Sequence, residues 1–111
     1  MRQFESGATR DTDQDKLDFE GFLSPCVLER FALYMHEHRI QRDGHLRASD
    51  NWQKGIPREA YMKSGWRHFM EWWGCHRLGA DMPEEDVENA LCALLFNVQG
   101  YLYEVLQGRS V

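Results

Sequence analysis

The run Pro83-Glu84-Glu85-Asp86-Val87-Glu88, continued by NALCALLFNVQGYLYEVLQG to Gly108, is patterned as one long helix. Proline is tolerated at the start of a helix because its missing N–H has no intrahelical partner there. The three acids that follow complement the positive end of the helix dipole. Leu91, Leu94, Leu95, Val98, Leu102, Val105 and Leu106 then recur at helical spacing and supply an apolar stripe. Gly100 is a candidate kink, and Gly108 a stop signal. Asn97, Gln99, Gly100 and Glu104 make the most apolar part, Ala90 to Leu106, too polar and too short to span a bilayer.

Upstream, a second helix is expected from Pro57 to about His76, with Tyr61, Gly65, His68, Phe69, Trp72 and Trp73 along one broad side. Ser24-Pro25 opens another, a cap followed by a first-turn proline. Val27, Leu28, Phe31, Tyr34 and Met35 carry it to near His38. Between these lies an irregular segment, residues 39–56, broken at Gly44 and Gly55; loops of this length in small domains are often functional. Residues 1–20 are polar and read as an extended arm. Asp11, Asp13 and Asp15 alternate like a calcium loop, but Lys16 stands where glycine is needed and Phe22 where a bidentate acid is needed. No run alternates as a strand does. The expected fold is all-α: a small bundle of three main helices with a long central loop, residues 21–111, behind an extended N-terminal arm, residues 1–20. The apolar faces are wide for a monomer, which points to a homo-oligomer, a dimer first.

A chain of 111 residues makes one domain with a modest core. Its net charge of −5 opposes general DNA binding. The charge is uneven: residues 39–68 hold seven Lys/Arg against three Asp/Glu, between acidic ends. A basic middle suits a local anion site. Cys26, Cys75 and Cys92 are odd in number and lack Cys-x-x-Cys spacing, which points to a reduced compartment. With no apolar leader run, the protein is expected to be cytoplasmic.

The chemistry concentrates in Asp50-Asn51-Trp52-Gln53-Lys54-Gly55-Ile56-Pro57. It holds a stacking ring, an amide, a cation and a flexible glycine ahead of a helix start. Backbone amides at a helix start, with Lys and Arg nearby, suit a phosphorylated ligand. Trp52 is hard to explain by burial alone in so polar a loop, whereas Trp66, Trp72 and Trp73 are expected in the core. His68 and Glu71 share one helical face. With Arg67 on phosphate they could form a polar site, His68 as acid or base and Glu71 on metal or water. Glu84, Glu85 and Glu88 match the Glu-Glu-x-x-Glu of all-α MazG-type pyrophosphohydrolases. The second half of that motif is incomplete, reading Glu104-Val105-Leu106-Gln107. In one continuous helix Glu88 and Glu104 lie about 24 Å apart, so helix-start electrostatics explain the first three acids better than a shared magnesium ion.

The chain resembles a phage-encoded family, the N-terminal domain of dATP/dGTP diphosphohydrolases, over roughly residues 7–97. The resemblance rests on Gly7-Ala8-x-Arg10-Asp11, Lys16, Phe19, the central Asn51-Trp52-x-Lys54-Gly55-Ile56-Pro57, Arg67-His68, Trp72 and Asn97. Many relatives carry a His-x-x-His pair where this chain has Ala90 and Ala93. The resemblance implies a phage protein in the host cytoplasm that acts on purine deoxynucleotides. It would use Arg10, Asn51, Trp52, Lys54 and Arg67 on the ligand. If catalytic, it would be a magnesium-dependent hydrolase that releases pyrophosphate, with His68 and Glu71 at the reacting centre. The alternatives are a protein that sequesters a nucleotide intact, and an inhibitor that contacts a host protein through its acidic surface.

Overall fold

The computed structural model describes residues 2–10 and 15–108, apart from the Ala80 side chain. Asp11 and Asp13 of the acidic alternation lie outside these residues. The architecture is all-α, as expected, and three long helices dominate it. No described helix is long and apolar enough to cross a membrane.

The arm has more structure than its polarity suggests. Strands β1 (Arg2–Gln3) and β2 (Thr9–Arg10) pair antiparallel, Arg2 opposite Arg10 and Gln3 opposite Thr9. Two residues per strand are too few for alternation to show in sequence. A single turn, α1 (Phe19–Phe22), follows, capped by Asp18 accepting from the Gly21 amide.

Helix α2 spans Pro25–Glu37, and the Ser24 hydroxyl accepts from Val27 N–H at 3.4 Å. Helices α3 (Arg58–Leu78) and α4 (Glu84–Gln107) are joined by a 3₁₀ turn at Gly79–Asp81. So short a link makes them antiparallel neighbours. The contacts agree: Tyr61 meets Gly100, and Gly65 faces Asn97. Helix α2 leans on α4 from another side, where Arg30 pairs with Glu88 at 2.6 Å and donates to Asn89 Oδ1 at 2.8 Å.

Gly100 does not break the helix, which runs unbroken from Glu84 to Gln107. A Cβ at residue 100 would run into the Tyr61 ring, so the missing side chain makes room for the neighbouring helix. A second difference concerns the tryptophans. Trp66, Trp72 and Trp73 are exposed rather than in a core, Trp66 by 61%. Their side of α3 has no further layer to meet. The buried apolar side chains are few and mostly small: Tyr61, Cys75, Ala90, Cys92 and Ala93.

Candidate functional site

The long loop is built in two steps. Its first half is a hairpin. Ile40 bridges Leu46, Arg47 N–H donates to the Arg39 carbonyl at 2.7 Å, and Gln41 N–H donates to the His45 carbonyl at 2.9 Å. Gly44 turns the chain with φ +85, a value that side chains disfavour. Asp43 accepts from the His45 amide at 3.0 Å and faces the His45 ring at 3.3 Å. The backbone bond first, and the ring second, hold the Asp43 carboxyl below the usual carboxylate range. The second half is a 3₁₀ turn, Asn51–Lys54, which presents Trp52 to α4. The Trp52 ring meets Tyr103 edge-on at 5.0 Å and Phe96 at 6.2 Å. Such aromatic contacts add to the area they bury.

Between this loop, the C-terminal half of α2 and the middle of α4 lies a cleft of about 450 Å³. Phe31, Met35, Ile56, Trp52 and Phe96 supply apolar and aromatic lining; Ser49, Asn51 and Gln99 supply neutral polar groups. Arg39, Arg47, His36 and His38 supply the ionisable ones, and among the described residues no carboxylate lines the cleft. In a chain of net charge −5, that is a local reversal of sign. Arg39 is fixed: its Nε donates to the Arg47 carbonyl at 2.8 Å, and Nη1 lies 3.5 Å from His36 Nδ1. His38 Nδ1 lies 2.8 Å from the Tyr34 carbonyl, which makes that nitrogen the proton-bearing one. Among the described residues, no hydrogen-bond or ion-pair partner holds the Arg47 guanidinium, which leaves a cation with no competing protein anion.

Of the residues singled out in the sequence, Asn51 and Trp52 line this cleft; Arg10, Lys54 and Arg67 do not. Lys54 closes the 3₁₀ turn on the exposed surface. Arg67 Nη2 donates to Ser64 Oγ at 3.4 Å on α3. Arg10 lies on β2 in the arm. The backbone amide of Ile56, just before α3, is also engaged: Glu104 Oε2 accepts from it at 3.3 Å. Glu104 is 2% exposed, so the protein's own carboxylate takes an amide that the sequence offered to a phosphate.

His68 and Glu71 do pair, Nδ1 to Oε2 at 3.2 Å, with the His68 side chain 19% exposed. Glu71 lines a separate cavity of about 420 Å³ together with Asp86, Tyr34, Cys75 and Asn89. His38 lines both this cavity and the cleft, which makes them neighbours. Among the described residues, no three His, Cys, Asp or Glu side chains gather as a metal cluster. Glu88 is paired with Arg30, and Glu84 and Glu85 are exposed in the first turn of α4. The MazG-like set of acids is therefore not assembled as a group. The sequence reading missed Arg39, Arg47 and His36, because nothing local tells which cations of a loop turn inward. A hairpin signal was present in Asp43-Gly44, a pair that favours tight turns. Comparison with protein-family models, with curated proteins and with solved structures gives no match.

Proposed function

We propose that the cleft binds a phosphorylated nucleotide, its base against the Trp52 and Phe96 side and its phosphates toward Arg39 and Arg47. One observation carries this: aromatic rings, two arginines and two histidines share a cleft that no carboxylate of the described residues lines. Bases stack on aromatic faces with little regard for sequence, and guanidinium groups recognise phosphate through paired N–H donors. Asn51, Ser49 and Gln99 add neutral donors and acceptors able to read a base edge or a sugar. The family resemblance supports a purine deoxynucleotide and a phage protein working in the host cytoplasm. The wide apolar faces support a homo-oligomer.

A second reading is hydrolysis to release pyrophosphate, and the cavity beside the cleft favours it. Glu71 and Asp86 line that cavity together, and two carboxylates with substrate phosphates are a sufficient protein share for magnesium. Those two would hold the ion, which when bound neutralises phosphate charge and activates water. His68 keeps Glu71 oriented through their 3.2 Å contact. Incubation with a panel of purine and pyrimidine nucleotides, with and without magnesium, separates the readings. Intact ligand retained stoichiometrically supports binding; pyrophosphate and a monophosphate support hydrolysis. If neither is found, the nucleotide reading falls and contact with a host protein takes its place.

A further inference from the structure

Among the described residues, nothing lies over the side of the α3–α4 hairpin away from the cleft. A groove of about 540 Å³ runs between the two helices, lined by side chains that are all uncharged. Trp66, Val98 and Leu102 stand on it with 61%, 56% and 55% of their surface exposed. From Asn89 to Tyr103, four turns of α4, the sequence holds no charged residue at all. A helix without a polar face is a buried helix. Among the described residues, α4 is covered by α2 and the loop on one side and α3 on another, and the remainder is open. The radius of gyration is 19.1 Å, against roughly 13 Å for a compact chain of this length.

We propose that a second copy of this chain covers the groove, hairpin against hairpin, to form a four-helix bundle. This gives the homo-oligomer suggested above its surface and does not depend on the nucleotide reading. The dimensions fit. Twenty-one residues of α3 make a helix about 31 Å long, and two helices side by side are about 20 Å wide. The face is therefore roughly 600 Å² per copy and 1,200 Å² in all, the lower bound for a stable interface. An uncharged face meets its own copy without like-charge repulsion, so a two-fold arrangement is open to it. The paired strands β1 and β2 are no substitute cover: residues 2–10 carry one large apolar side chain, Phe4. The arrangement also leaves the clefts free. At 100° per residue, Leu94, Val98, Tyr101 and Val105 lie about half a turn around α4 from Phe96, which lines the cleft.

Light scattering after size exclusion tests this on the full chain. The expected mass is twice 13.1 kDa. Val98→Arg, which sets a charge in the middle of the face, should raise the dissociation constant about a hundred-fold or more. Leu28→Arg, on exposed α2, should leave the dimer intact. A wild-type mass of 13.1 kDa at the highest clear concentration would overturn the proposal. So would a dimer that survives Val98→Arg and is lost in Leu28→Arg. If Val98→Arg does not fold, the melting temperature of the wild type decides. It should climb with protein concentration, as for any associating fold, and a constant value counts against a dimer. Nucleotide titration is a separate readout, so failure of either idea leaves the other standing.

Discussion

Trp52 has two roles that one substitution can separate. Its edge contacts with Tyr103 and Phe96 dock the loop, and the same ring lines the cleft. Trp52→Ala should lower the melting temperature and also weaken nucleotide binding about ten-fold or more, since stacking is worth roughly 1–3 kcal/mol per base. Calorimetric titration of the folded variant checks the second effect; unchanged affinity would leave Trp52 as a loop anchor alone. Arg47→Ala should weaken a triphosphate much more than the free nucleoside, while Lys54→Ala should do little. The opposite ranking in the same titration would move the phosphate site to the 3₁₀ turn. Gly100 allows a test of packing alone. Gly100→Ala pushes a methyl into the Tyr61 ring, and overpacking of this kind costs roughly 1–3 kcal/mol. Thermal unfolding should therefore occur several degrees lower, with binding per folded molecule unchanged. The thiols differ as well: Cys26 is exposed while Cys75 and Cys92 are buried, and burial raises the Cys92 thiol above its ordinary value. Mass spectrometry after brief alkylation should find Cys26 modified and the other two untouched until the protein unfolds.

The three long helices were legible because each announces itself locally. Ser24-Pro25, Pro57 and Pro83 mark the starts, and the spacing of leucines and aromatics marks the faces. The loop was legible in extent but not in form. Its hairpin depends on backbone pairs such as Arg47 to Arg39, eight residues apart, which leave no periodic trace. The inward turn of Arg39 follows from that hairpin, so half of the candidate site stayed hidden while Trp52 and Asn51 did not. The hairpin has a pH dependence of its own. Asp43 is held below the usual carboxylate range by the His45 amide, so its contribution is complete above the ordinary Asp value. It is lost as pH falls through the depressed folded value. Protection of the His45 amide, taken relative to its intrinsic exchange rate, should fall in acid before that of the helices does. If that protection is constant with pH, the Asp43 contact does not hold the hairpin.

The other two long helices and the loop are all attached to α4. Helix α2 reaches it through Arg30 and Glu88, the loop through Trp52 and Tyr103, and the start of α3 through the Ile56 amide on Glu104. Helix α3 lies along its length. Yet α4, residues 84–107, is the last of the three long helices to be made. During synthesis, the first eighty residues leave the ribosome with no surface on which to settle. They carry three tryptophans of α3 and the phenylalanines of α1 exposed to whatever holds nascent chains. The native arrangement then waits for α4, and is completed only once that helix is free of the ribosome. A stop codon placed ahead of Glu84 would accordingly abolish the whole fold, where loss of the N-terminal arm would remove one small hairpin.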